Sequence, residues 1–314
     1  MERHRHQWSV VDFRLEDDRP IMRQACVCGA TRSVPAWDRS WTPDPAPPAG
    51  RGIRIGRAPW RLTANDHGAI KGRLMEATGI LPSTKGSDSM IDTIKIDIWS
   101  DVACPWCYIG KRNLEAGIGA YQSSPGRPPV EIEYHSFELA PDTPVDFDGS
   151  EADYLMRIKG IGQEQAVEML DRVAGIAAGV GLRYDFGAVQ HTRTVKAHQL
   201  LHYAKARGLQ GETKERVLSA YFVEGRHVGR DEDLADLAAE IGLDRSDVLR
   251  SLREEEFLAD VRADQRQAMA YGIRGVPFFV LDGKYGLSGA QPPETFAEAL
   301  AQVADERGVG AGSA

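Results

Sequence analysis

The sequence predicts an α/β chain: a β-α-β unit, a large all-helical insertion and a β-β-α closing unit, preceded by a mostly irregular N-terminal extension. Three observations carry that reading. The alternating run Ile94-Lys95-Ile96-Asp97-Ile98-Trp99 gives way at Cys104-Pro105-Trp106-Cys107 to a helical pattern. From about residue 150 to 270, apolar residues recur at helical spacing. Gly275-Val276-Pro277-Phe278-Phe279-Val280-Leu281 then restores a strand, which Asp282-Gly283 folds back on itself.

The elements follow in order. Residues 1–89 are rich in Arg, Pro and Trp, with prolines clustered at 43, 45, 47 and 48, and mostly coil is expected there. Within it, His4, His6, Cys26 and Cys28 could form a small hairpin unit around a zinc ion, although an exposed turn explains them as well, because the spacing fits no zinc pattern. Strand 94–99 leads to a helix over 104–121, a Pro-rich break at 125–129 and a second strand over 130–137, parallel to the first. In the insertion, Val167, Leu170, Val173, Ile176, Ala177 and Val180 form one stripe, and Val217, Leu218, Tyr221 and Phe222 another. Both read as core. Asp231 reads as the N-cap of a helix stopped at Gly242, and a long helix covers about 255–271. Strand 285–288 and a helix over 293–307 close the domain, leaving 308–314 as a flexible tail.

Composition narrows the function classes. The 314 residues are 42% hydrophobic and 27% charged, those of an ordinary globular chain. No apolar run approaches the roughly 20 residues of a membrane-spanning helix, and the first residues do not read as a secretory signal. The expected location is the cytoplasm, with no membrane partner. A net charge of −8 argues against nucleic acid, whose phosphates need a concentrated basic surface. Residues 1–89 hold 14 Lys+Arg against 10 Asp+Glu, a balance of +4, and residues 90–314 hold 24 against 36, a balance of −12. The two parts differ in kind. Four cysteines are too few for a disulfide scaffold and suit a dithiol that cycles in a reducing compartment.

Cys104 and Cys107 are the chemical centre. A strand that delivers two cysteines onto the first turn of a helix builds a redox-active dithiol. At the N-cap, Cys104 would lie against unpaired backbone N–H groups and the positive end of the helix dipole, which favour its thiolate. Cys107 shares that face within disulfide reach. A metal reading of CxxC would need a second ligand pair in the fold, and no further cysteine follows.

With this strand, CPWC, helix and a late Val-Pro entering a strand, the chain resembles the thioredoxin superfamily, in particular the DsbA-like oxidoreductases of the FrnE type. Trp99-Ser100-Asp101, Tyr108-Ile109-Gly110, Phe137-Glu138-Leu139, Ala197-His198, Ala220-Tyr221-Phe222-Val223-Glu224-Gly225 and Gly275-Val276-Pro277 carry the likeness over roughly 92–307. It implies a thioredoxin-like fold with a helical insertion at about 150–270. Cys104 would be the attacking thiolate and Cys107 the resolving thiol, with Pro277 a cis-proline opposite them. Pro105, Trp106 and the Val276 backbone would meet the substrate, and His191 and Arg193 would border it. Asp97 would take the place of the relatives' buried proton-transfer acid, unless it lies on the solvated face of its strand. Trp106 brings no cation to Cys104, so the couple should be less oxidising than a Pro-His version.

The implied activity is thiol–disulfide exchange with protein or small-molecule disulfides. It needs a thiol reductant or oxidant, for which glutathione is a candidate co-substrate. Neither a bound organic cofactor nor a metal is implied, and the chain could be a monomer or homodimer. Two other readings stay open: a glutathione-dependent isomerase of the hydroxychromene-carboxylate type, which has serine in place of Cys104, and a redox-sensitive peptide-binding holdase. His191, His198 and His202 share a helix face, as structural histidines or a cleft edge rather than a metal site.

Codons for Lys85-Gly86-Ser87 can spell a purine-rich ribosome-binding sequence just upstream of Met90. The native product is therefore expected to start at Met90. N-terminal sequencing of the natively expressed protein checks this, and an intact peptide from residues 1–30 overturns it.

Overall fold

The structure, a computed structural model, describes residues 8–16, 19–26, 31–35 and 93–311. Trp8–Glu16 (β1), Arg19–Cys26 (β2) and Thr31–Pro35 (β3) form an antiparallel sheet in the order β1-β2-β3. The coil expected here is therefore partly sheet: short runs containing Val, Ile and Phe between tight connections suffice for a meander. Cys28, His4, His6 and the segment around Met90 lie outside the described residues, and with them the zinc and start-site readings.

The main sheet has the order β5-β4-β6-β7. Ile94–Ser100 (β4) pairs in parallel with Val130–Ser136 (β5) and antiparallel with Phe278–Leu281 (β6), and Tyr285–Ser288 (β7) completes the sheet. Asp282 and Gly283 both have positive φ, as the tight turn between β6 and β7 demands. Being central, β4 is covered on both faces, and its two parities meet different partners. Ile94, Ile96 and Ile98 pack with Leu114 of α1 (Pro105–Gln122) and with Phe296 and Leu300 of α9 (Pro293–Ala311). The last helix thus runs through the expected tail as far as Ala311. Gly117 is where α1 and α9 touch: a Cβ there would stand 2.7 Å from both Phe296 Cβ and the Pro293 carbonyl.

On the other face, Trp99 packs with Ala268 of α8 (Leu258–Ala270), Ile273 and Val280, and stacks on His135 with ring centroids 4.5 Å apart. Here Asp264 of α8 gathers three elements. Its carboxylate lies 2.9 Å from His135 Nδ1 and 3.1 Å from His202 Nε2, and accepts the Ser136 N–H at 2.8 Å. Its carbonyl accepts Trp99 Nε1–H at 3.1 Å. Burial opposes charge on His135, but the bonds to Asp264 and Asp97 outweigh it and raise its pKa from 6.5 to about 9. Burial likewise opposes charge on Asp264, and the His135 and His202 bonds hold it well below the usual carboxylate range.

The insertion comprises Glu151–Lys159 (α2), Gln163–Gly179 (α3), Val195–Lys205 (α4), Gln210–Phe222 (α5), Asp231–Glu240 (α6), Arg245–Arg253 (α7) and α8. The expected stripe Val217, Leu218, Tyr221 and Phe222 is buried, against Leu200, Leu201, Leu234 and Leu237. Other expectations need correction. Residues 180–194 are not helical, and a helix the sequence reading did not place, α7 capped by Asp244, precedes α8, which fills the expected range 255–271. Arg230, not Asp231, is the N-cap of α6, and Asp231 joins Glu232 and Asp233 in a first turn whose free N–H groups favour acids. The α3 stripe is only partly core: Val173, Ala177 and Val180 join the insertion's cluster, whereas Val167 and Ile176 remain 42% and 41% exposed.

Gly117→Ala is expected to lower stability by about 1–3 kcal/mol through overpacking at the α1–α9 contact. Gly119→Ala, with nothing within 4 Å of its Cβ, should be neutral or gain up to about 1 kcal/mol; urea unfolding of the two variants reads the difference. His135, with its pKa raised in the folded state, contributes stability that is complete below pH 6.5 and is lost as pH rises through about 9. The urea midpoint should therefore fall over that interval, and His135→Gln should flatten the decline.

Candidate active site

The site begins where β4 ends. The Asp101 carboxylate accepts the Val102 N–H at 2.7 Å and the Leu139 N–H at 2.7 Å, and lies 3.2 Å from His198 Nε2. A buried carboxylate satisfied in this way fixes the turn that leads from β4 into α1. Burial raises its pKa, and the His198 bond and backbone N–H groups more than reverse that, keeping it ionised. Cys104 follows as N-cap of α1, in extended conformation, and its carbonyl accepts the Cys107 N–H at 3.0 Å.

Each cysteine is 3% exposed, and both are free thiols. Cys104 Sγ donates to the Val276 carbonyl at 3.5 Å, directly before a cis Val276–Pro277 bond. The loop reaches α1 because residue 110 is glycine: a Cβ there would stand 3.0 Å from Pro277 Cγ and 3.3 Å from Phe279 Cζ. Pro105 opens the helix and its carbonyl accepts the Tyr184 hydroxyl at 2.8 Å. Trp106, 36% exposed, presents apolar surface beside the sulfurs.

Two thiols in one pocket lose their protons as a pair, and the first loss opposes the second. In this closed arrangement the lowered sulfur is Cys107. Burial opposes its charge, but the Cys104 S–H, the Lys214 ammonium, the Ser100 hydroxyl and the Asp101 N–H outweigh it. Cys104 is pushed well up by the adjoining Cys107 sulfur, by burial and by the charge of Cys107.

Asp97 does not reach the site. Its parity on β4 turns it to the α8 face, where it lies 2.8 Å from His135 Nε2 and 3.0 Å from Lys95 Nζ. The buried acid near the sulfurs is Asp101 instead. Its signal was available, since it sits three residues before Cys104 where a strand covered on both faces ends. His191 is likewise no cleft-edge side chain: it is buried, 2.8 Å from Glu151 Oε2 and stacked on Tyr154 with centroids 3.5 Å apart. Arg193 pairs with Glu138, which also receives Arg262 and Gln265. The polar contacts of His191 and Arg193 are thus with carboxylates rather than cysteines. His191, His198 and His202 each meet a different carboxylate and do not converge. Among the described residues, Asp97, Glu133 and His135 lie close enough to share an ion. The Lys95 and Lys205 ammonium groups already pair with these oxygens, so the group is not a fitting metal site.

Comparison with known proteins places this geometry. The DSBA-like thioredoxin domain profile matches residues 95–301. The crystal structure of a probable DsbA oxidoreductase from Streptomyces coelicolor is 40% identical, covering 67% of this chain and 89% of that one, with a TM-score of 0.62. The uncharacterized protein YwbO of Bacillus subtilis is 28% identical over 217 residues, 66% of this chain and 96% of its own. The thiol:disulfide interchange protein DsbA of Azotobacter vinelandii is 28% identical over 109 residues, 34% of this chain and 49% of its own. With the match running from β4 through α1, the insertion and β6-β7 into the first half of α9, the chain belongs to the DSBA-like thioredoxin domain family and is a thiol–disulfide oxidoreductase.

Proposed function

We propose that the chain exchanges disulfides with protein or small-molecule partners through Cys104 and Cys107. The observation that carries this reading is the pair of free, buried sulfurs at the start of α1, with Cys104 facing the Val276 carbonyl before cis-Pro277. Cys104 is the outward sulfur, at the loop edge, and Cys107 the inner one, among Ser100, Asp101 and Lys214.

A partner strand that lies along Val276 takes over its carbonyl and frees the Cys104 S–H. The proton then passes to Cys107, and the Cys104 thiolate attacks a partner sulfur. A mixed disulfide forms, and the partner's other sulfur leaves as a thiolate that takes up a proton. Cys107, again deprotonated, attacks Cys104 Sγ. The mixed disulfide breaks, the partner's second sulfur leaves and is protonated, and Cys104–Cys107 closes. Two electrons have moved from the dithiol to the partner, and a low-molecular-weight thiol such as glutathione can return them. No organic cofactor or metal takes part. Asp101 positions the turn that carries Cys104, and exposed Trp106 offers apolar contact to the partner. A chain with just four cysteines supports a reducing, cytoplasmic setting.

Retention of both sulfurs favours this chemistry over glutathione-assisted isomerisation, which the sequence also left open. Insulin reduction driven by a dithiol donor is expected to fall to the donor's own rate in Cys104→Ser. Cys107→Ser should stall as a mixed disulfide that a non-reducing gel shows as a shifted band. Isomerase activity that requires glutathione and tolerates Cys107→Ser would overturn the reading. So would a holdase effect that persists without either cysteine and without any reductase activity.

A further inference from the structure

Lys214 is a buried charge that the exchange steps do not use. It is 1% exposed, and among the described residues it is the lysine whose buried Nζ has no hydrogen-bond partner. Its place is fixed by its neighbours on α5. One turn earlier, Gln210 bonds both the N–H and the carbonyl of Tyr134 on β5, at 3.0 and 2.8 Å. At the next position, Glu215 accepts the Tyr108 hydroxyl and the Lys111 ammonium of α1, each at 2.6 Å. The Lys214 side chain therefore enters the wedge between α1 and β5, with Nζ 5.7 Å from the Tyr134 ring centroid. Cys107 lies one turn before Lys111 on the same buried side of α1, so its sulfur falls within reach of the Lys214 charge.

An ammonium held there without hydrogen bonds is costly unless it faces negative charge. The groups around it are Cys107 and Cys104 of the dithiol, Asp101 at the end of β4, Lys111 on α1 and Tyr134 on β5. Asp101 is already engaged by His198 and backbone N–H groups, which leaves the dithiol as the charge that comes and goes. We propose that Lys214 is a positioning residue of the dithiol: its ammonium is the counter-charge that holds the single negative charge of the reduced pair, and it stabilises the dithiol relative to the disulfide. This rests on the exchange reading above and adds its electrostatic setting.

The balance is explicit. With glutathione as donor, the enzyme disulfide and two glutathione thiols give one glutathione disulfide, one enzyme thiol, one enzyme thiolate and one released proton. Lys214 acts on the thiolate alone. Burial lowers the pKa of Lys214, and the charges of Cys107 and Asp101 oppose that lowering. Closing the disulfide removes part of that opposition.

The test equilibrates wild type and Lys214→Met with a glutathione redox series at pH 7 and pH 5, with Lys214→Gln as a second variant should the first not fold. The expected result at pH 7 is a roughly tenfold shift of the variant toward the disulfide, about 30 mV for this two-electron couple. The shift should shrink at pH 5, as the reduced pair takes up a proton and the charge that Lys214 faces diminishes. The iodoacetamide reactivity profile of the variant should move to higher pH. If wild type cycles and the variants show the same potential and the same profile, the inference is overturned while the exchange reading stands. If wild type itself does not close and reopen its disulfide, the reading falls and the inference with it.

Discussion

Everything in this molecule is arranged around one strand that is hydrogen-bonded on both edges and covered on both faces. β4 pairs with β5 on one side and β6 on the other, and of its side chains only that of Lys95 is exposed. Residues of one parity meet α1 and α9; those of the other meet α8. The strand ends at Ser100 and Asp101, on the α1 side. That is why a helix with two sulfurs in its first turn comes to rest over a buried carboxylate and against the loop from the far end of the chain. The register of a sheet thus decides which charged groups the sulfurs feel.

That constraint explains what the sequence made legible. The run Ile94 to Trp99, the CPWC turn and the Val-Pro entry to β6 are local patterns, and the fold follows them closely. Asp97 was misplaced for a reason that lies beyond any local pattern. Period-two alternation separates Asp97 from Ile96 and Ile98, but it does not say that the opposite face is covered by α8 and already holds His135. Lys214 shows the reverse case. It stands three and four residues before Val217 and Leu218 and seven before Tyr221, so the buried stripe of α5 passes through it. A lysine on such a stripe is the kind of exception worth reading as a signal. The carbonyl that faces Cys104 was not legible, because Val276 lies 172 residues away in the chain.

The insertion is a second core rather than an ornament of the first. Val102, Tyr108 and Ile109, at the cysteine end of α1, belong to its cluster and not to the cluster under the sheet. α1 therefore spans two packing environments: its first turns are clamped by the insertion, through Tyr184 on the Pro105 carbonyl and Glu215 on Tyr108, and its last turns by α9. The sulfurs sit at the clamped end. α3 is only partly bound into this arrangement, and Val167 and Ile176 of its apolar stripe stay exposed.

On the opposite side of the sheet the insertion is fastened quite differently. Asp264 alone receives His135, His202 and the Ser136 N–H on its carboxylate, and Trp99 on its carbonyl. Removing one partner of a buried ionic cluster typically costs about 3–5 kcal/mol, a large share of what holds any domain together. Asp264 is thus a rivet placed apart from the Gln210 bonds to Tyr134: if it sheared, α8 would lose this polar hold on the sheet while the ladder of β5, β4, β6 and β7 kept all its rungs.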